Sequence, residues 1–154
     1  METIIRKYQD EDFDQLINLL HDDDLGKNRE SVDHGPVSDY RKAIAEIVTN
    51  DNFDLYVMAK NTDNQIIGCF QIMFLPHVSF KGTKRCQIES VRVRSDLRGK
   101  GLGSQLMKFA IELSKEKGCG IFQLTSNKNR IEQAHKFYKK LGMEANHEGY
   151  KLYL

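Results

Sequence analysis

Three glycines in five residues, Gly99, Gly101 and Gly103, stand between a strand-like run, Cys86 to Val93, and a strongly periodic helical run, Ser104 to Lys117. No other feature constrains the chain as much. A strand that turns through glycines directly into a helix aims the helix's unpaired N–H groups, and the positive end of its dipole, at the turn. Glycine also admits positive φ and lets a ligand approach the backbone without meeting a Cβ. The natural occupant of such a turn is an anion, above all a pyrophosphate, so the chain reads as one that handles a nucleotide-like cofactor.

Spacing separates the possible phosphate loops. A dinucleotide fingerprint needs Gly-x-Gly-x-x-Gly, and here the third glycine comes one residue early. A Walker loop needs Gly-Lys-Ser/Thr, whereas Lys100 is followed by Gly101. What remains is Arg98-x-x-Gly101-x-Gly103, with a ligand-free glycine turn as its plain alternative.

Bulk properties exclude several classes. At 154 residues the chain fits a single domain over 1–154, large enough to bury about 68–70% of its unfolded surface without disulfides or metals. With 23 basic against 22 acidic residues and a net charge of +1, it carries no broad footprint for nucleic acid or an anionic membrane. Cys69, Cys86 and Cys119 are odd in number and without Cys-x-x-Cys spacing, which reads as core thiols in a reducing cytosol, not a disulfide framework or zinc site. No metal is expected. The N-terminus lacks a signal-peptide apolar region and no run approaches the ~20 residues of a membrane span, so a cytoplasmic protein is expected.

Along the chain, Ile4, Arg6 and Tyr8 alternate in a short strand. Asp10 is placed to cap a helix with Phe13, Leu16, Ile17 and Leu20 on one face. A polar loop, His21 to Val37, precedes a second helix, capped by Ser38, that buries Tyr40, Ile44, Ile47 and Val48. Leu55 to Lys60 and Ile66 to Leu75 flank Asn61-Thr62-Asp63-Asn64 as a hairpin, and Cys86 to Val93 is the strand that feeds the glycine loop. The following helix carries an apolar stripe of Leu102, Leu106, Phe109, Ala110 and Leu113 and stops at Gly118. Ile121 to Leu124 then returns parallel to Cys86 to Val93 in a right-handed β-α-β crossover. A final helix, about Ile131 to Leu141, stops at Gly142, and strand-like segments near Met143 and from Gly149 to Leu154 close the chain.

Ile88-Glu89-Ser90-Val91-Arg92-Val93, followed after four residues by Arg98-Gly99-Lys100-Gly101-Leu102-Gly103, resembles the central strand and acetyl-coenzyme A loop of the GCN5-related N-acetyltransferase superfamily. Ala134 to Met143, with Tyr138 and a Leu141-Gly142 turn, resembles that superfamily's second conserved helix, and the element order matches across essentially the whole chain. The resemblance implies a mixed α/β fold: a mostly antiparallel sheet of about six to seven strands, flanked by about four helices, with a parallel β-α-β crossover at the cofactor loop. It further implies an acetyltransferase with acetyl-coenzyme A as cosubstrate, bound by the main chain of Val91, Arg92 and Val93 and by the loop from Arg98 through Gly99, Lys100, Gly101, Leu102 and Gly103 to Ser104. Asn127 or Asn129 would contact the pantetheine arm, with the register between them open, since Asn also favours turns and helix caps.

Two residues stand where such enzymes place proton-transfer groups. The acceptor amine, protonated in water with a pKa near ~10.4, has to lose a proton before it attacks, and Glu89 is the base this resemblance implies. The plain alternative is a solvated or salt-bridged strand residue. Tyr138 matches the tyrosine that protonates the departing thiolate, and its alternative is helix packing beside Phe137 and Leu141. The acceptor is expected to be a small-molecule amine, sought near Asp22 to Glu30 and Phe74 to Phe80. Asp22, Asp23 and Asp24 read more simply as a solvated loop. The segment Leu124 to Arg130 and the tail from His147 resemble small bacterial-type acetyltransferases of low-molecular-weight amines, aminoalkylphosphonates included. Arg29, Arg130 and His147 are placed to pair with an acidic group on such a substrate, but surface solvation or a salt bridge is the simpler reading of each. A protein lysine or N-terminus, or a non-catalytic acyl-coenzyme A sensor, remain alternatives, and a homodimer is a family-level expectation.

Overall fold

The structure, a computed structural model, describes residues 1–22, 37–128 and 131–154. By internal contacts the chain divides into two compact units, Met1–Gln123 and Leu124–Leu154.

The first unit is a five-stranded sheet in the order β1 (Thr3–Lys7), β2 (Phe53–Lys60), β3 (Ile66–Leu75), β4 (Arg85–Val93) and β5 (Ile121–Gln123). The first four pair antiparallel in sequence order, and β4 and β5 pair parallel. Five α-helices lie among the described residues: α1 (Phe13–His21), α2 (Val37–Val48), the single turn α3 (Ser79–Gly82), α4 (Leu102–Glu116) and, in the second unit, α5 (Ile131–Lys140). The one beyond the expected four is α3, a kinked turn in which Phe80 and Lys81 adopt left-handed φ.

Strand alternation sorts the core onto two faces. Tyr56 and Phe70 stack at 5.2 Å and Phe109 of α4 meets Tyr56 edge-on, so the side of the sheet bearing Phe70, Ile72 and Phe74 is the α4 side. Leu106 and Met107 are fully buried there, each worth about 1.5–3 kcal/mol. Gly68 permits this packing, because a Cβ on it would stand 3.0 Å from Leu106 Cδ1 and 3.1 Å from the Arg92 carbonyl. On the opposite face Leu16 and Leu19 of α1 pack on Leu55, Val57, Ala59 and Cys69, with Ile44 and Ile47 of α2 alongside. Cys69 and Cys86 are buried as expected, and Cys119 is half-buried. Burial pushes the Cys69 thiol up to about 12 and that of Cys86 to about 11.

The C-terminal stops of α4 and α5 follow the sequence closely. Gly118 and Gly142 both take positive φ. In each case the next residue's N–H reaches back five residues, Cys119 to Ser114 O and Met143 to Tyr138 O, as a Schellman cap requires. Four expectations need correction. Asp10 does not cap the first helix: Asp12 accepts the Gln9 N–H at 2.9 Å and the Arg6 guanidinium at 2.6 and 2.8 Å. Ser38 lies inside α2, which begins at Val37, and Val48 is 51% exposed because it falls off the stripe formed by Tyr40, Ile44 and Ile47. The segments near Met143 and from Gly149 to Leu154 are not strands, so the sheet has five strands among the described residues instead of six or seven. Their alternation lacks what makes a strand, a hydrogen-bonded partner edge, and Tyr150, Leu152 and Tyr153 stay exposed. No helix among the described residues is long and apolar enough to cross a membrane.

Candidate active site

The site is built where β4 stops following its neighbours. On the β3 side, Gln71 pairs with Glu89 and Cys69 with Arg92, so Ser90 and Val91 together oppose Phe70 alone. This is a β-bulge, and Ser90 takes φ 51°, a left-handed conformation that costs a non-glycine residue of order 1–3 kcal/mol and concentrates at functional positions. On the other side, the parallel ladder runs only from Arg85↔Ile121 to Gln87↔Gln123, while β4 continues to Val93. Beyond the bulge, the Arg94 N–H still donates to Ile67 O at 2.9 Å, which by alternation turns the Val93 peptide group to the far edge. The Val91 and Val93 carbonyls accept from Arg92 Nη1 and Arg98 Nε at 2.9 and 3.2 Å, outside the ladder.

The glycine loop follows a 3₁₀ turn, Ser95–Leu97. Gly99 (φ 76°) and Gly101 (φ 83°) are left-handed, and a Cβ on either would meet no protein atom within 4 Å, so the loop opens onto free space on that side. Gly101 is the N-cap of α4 and donates no side chain to it; its carbonyl accepts Gln105 N–H at 3.1 Å. The amides of Leu102, Gly103 and Ser104 therefore belong to the first turn of a fifteen-residue helix, where N–H groups have no intrahelical partner. This donor set and this opening fit the pyrophosphate of a coenzyme A derivative. Arg98 and Asp22 hold the loop in place. The Asp22 carboxylate accepts Ser95 N–H (2.6 Å) and Oγ (2.8 Å), and its carbonyl accepts Arg98 Nη2 at 2.9 Å. Asp22 is thus a strut between the end of α1 and the loop, not a solvated acid. Lys100 Nζ donates to Asp96 O at 3.2 Å.

Glu89 lies on the face opposite α4, across from Gln71. Its Oε1 accepts from Gln87 Nε2 at 2.8 Å, and Gln87 Oε1 accepts from Gln123 Nε2 at 2.6 Å. Among the described residues, the partner of Glu89 is an amide and not a cation. On the same face a cavity of about 130 Å³ opens between α1, α2 and the sheet, with Leu16, Leu20, Ile44 and Ile47 as apolar walls and Gln71 and Ser90 among its polar groups. Phe74, at the strand end expected near the acceptor, is instead buried on the α4 side, whereas Phe80 is 66% exposed.

The second unit contains the other expected groups. Tyr138 sits on α5, half-buried, edge-on to Phe137 at 5.1 Å. Asn127 is exposed in the segment before α5. His147 contacts Asn146 Oδ1 at 2.5 Å. Asn129, Arg130, Arg29, Asp23 and Asp24 lie outside the described residues. Sequence reasoning missed Gln87 and Gln123. Gln87 was within reach, since position i−2 on a strand shares a face with Glu89, but Gln123 depends on the register of β5.

The family model for the acetyltransferase (GNAT) family matches residues 13–143. A glucosamine 6-phosphate N-acetyltransferase of Trypanosoma brucei brucei is 30% identical over 144 residues, covering 90% of this chain and 95% of the relative. Among solved structures, a Bacillus halodurans C-125 protein described as a transcriptional regulator superposes with a TM-score of 0.92 at 40% identity, covering 99% of this chain and 100% of that one. A glucosamine-6-phosphate N-acetyltransferase from Arabidopsis thaliana gives 0.79 at 23% identity, over 99% of each chain, which speaks for the fold. Matched by the family model over a range that includes the bulged strand β4 and the glycine loop, the chain belongs to the acetyltransferase (GNAT) family and is an acetyltransferase.

Proposed function

We propose that the protein transfers the acetyl group of acetyl-coenzyme A to the primary amine of a small molecule within a ternary complex. The observation that carries this reading is the open, left-handed glycine cradle at the N-terminus of α4, directly downstream of a strand whose bulge and Glu89 share the sheet's other face. The cosubstrate supplies the thioester carbonyl. The amides from Arg98 to Ser104 hold its pyrophosphate, and the peptide edge of Val91, Arg92 and Val93 orients the pantetheine arm, helped by Asn127 or Asn129. Glu89 takes a proton from the acceptor ammonium on Oε2, directly or through one water, which frees the nitrogen lone pair. Amides of the bulge stabilise negative charge on the carbonyl oxygen, and the Tyr138 hydroxyl returns a proton to the departing sulfur.

The acceptor is a small amine with an apolar portion, because the cavity beside Gln71 and Ser90 is walled by leucine and isoleucine. A hexosamine phosphate is the second reading, favoured by the name of the Trypanosoma brucei brucei relative. The two differ physically: a sugar phosphate requires polar partners for every hydroxyl, which those walls do not offer. The test is coenzyme A release from acetyl-coenzyme A across aliphatic and aromatic amines, aminoalkylphosphonates, polyamines, glucosamine 6-phosphate and lysine peptides. Turnover with amines bearing a short apolar group supports the first reading. Turnover confined to glucosamine 6-phosphate replaces it with the second, and turnover confined to peptides removes both.

A further inference from the structure

We propose that Gln87 and Gln123 are positioning residues for Glu89, a two-amide relay whose polarity the carboxylate sets; the proposal rests on Glu89 as the base. Gln87 Nε2 stands 2.8 Å from Glu89 Oε1, and Gln123 Nε2 stands 2.6 Å from Gln87 Oε1. Gln87 and Gln123 meet at the last rung of the parallel ladder, the point where β4 and β5 cease to pair, and Glu89 follows two residues later on the same face.

The direction of the relay follows from what each group can donate. An ionised carboxylate only accepts hydrogen bonds, so Gln87 has to turn its amide NH₂ toward Glu89. That leaves the Gln87 carbonyl oxygen facing Gln123, which in turn has to donate its own NH₂. Neither amide flips without losing a bond. Oε1 is thereby committed as an acceptor, and the incoming proton is directed to Oε2. An uncharged donor suits this position, because a lysine or arginine at 87 would ion-pair with the carboxylate and hold it in its charged form, whereas an aliphatic side chain would leave it free to rotate.

Gln87→Met keeps the length of the side chain and removes the donor. The expected result is a fall in turnover of about tenfold from misdirecting the base, with acetyl-coenzyme A affinity by calorimetry within about twofold of the unmodified protein. Gln123→Met is expected to fall less, about threefold, and the double variant to be no slower than Gln87→Met, because Gln123 acts only through Gln87. In a Glu89→Gln background, Gln87→Met should change turnover by less than about twofold. Equal losses with and without the Glu89 carboxylate, or an additive double variant, would assign the amides to ladder packing and overturn the proposal. Failure of the underlying reading looks different, since Glu89→Gln alone would then turn over at the unmodified rate, removing base and relay together. Should Gln87→Met fail to fold, seen as lost acetyl-coenzyme A binding, Gln123→Met measured with and without Glu89→Gln decides the same question.

Discussion

Strand β4 presents two faces that differ in kind. Toward α4 it shows Cys86 and Ile88, 0% and 1% exposed, against a layer of Phe70, Ile72 and Phe74. Toward α1 and α2 it shows Gln87 and Glu89, linked by a hydrogen bond, and Glu89 is flanked by Ser90 and opposed by Gln71, both of which line the cavity. Residues one apart in sequence thus serve opposite ends. The dry face, where the buried Ser114 hydroxyl is satisfied by the Ala110 carbonyl, supplies stability, whereas the other keeps a carboxylate and two amides hydrogen-bonded to one another. Both faces converge on the glycine loop, which continues the strand into the helix that covers the dry side.

Breaking the comparison at that shared end gives the largest effect. Gly101→Asp puts a side chain on a residue at φ 83° and a negative charge at the helix N-terminus, and acetyl-coenzyme A binding should be lost in calorimetry. Retained binding would remove the cradle from the site. On the wet face, Glu89→Gln should lower turnover by about 10²–10³-fold while the melting temperature stays within a degree or two of the parent's, roughly the spread of a surface change. Its mirror image is Ile88→Ala, expected to cost about 2–5 kcal/mol in denaturant titration with turnover per folded molecule nearly unchanged. Should Ile88→Ala instead act on turnover alone, the division of labour between faces fails.

Smaller effects sharpen the picture outside β4. Tyr138→Phe, read by steady-state kinetics beside calorimetry, should reduce turnover by about ten- to a hundredfold and leave cofactor affinity alone; unchanged turnover would withdraw its proton-donor role. The smallest expected effect is on acid stability. Desolvation of Asp12, 3% exposed, is outweighed by the Arg6 guanidinium and the Gln9 N–H, which together hold its carboxyl below the usual range. A lowered folded-state pKa means that this stability is complete above the unfolded value of about 3.9 and is lost as pH falls through the folded one. Urea midpoints should therefore drop below about pH 4 in the unmodified protein, and an Asp12→Asn variant, less stable at neutral pH, should show a shallower drop.

Much of this was legible locally. The glycine loop, the stripe of α4 and the stops at Gly118 and Gly142 all depend on neighbours within five residues, and each appears where the residues place it. The misreadings share a cause. Asp10 is a good cap by type, but the helix entry is organised by Asp12, whose carboxylate accepts the Gln9 N–H and pairs with Arg6 on β1. Gly149 to Leu154 alternates like a strand yet forms none. Glu89 stood out by its place before the loop, while Gln123, which reaches it only through Gln87, is separated from it by the whole of α4.

Most of the elements, the left-handed glycine turn ahead of α4 and the family were readable from the chain alone, because backbone freedom at glycine and the start of a helix are local properties. The bulge at Ser90, the early end of the β4–β5 ladder and the amide that bonds Glu89 needed the assembled sheet. Those depend on register, and register is settled by which strands find each other once the two faces of the sheet have been buried.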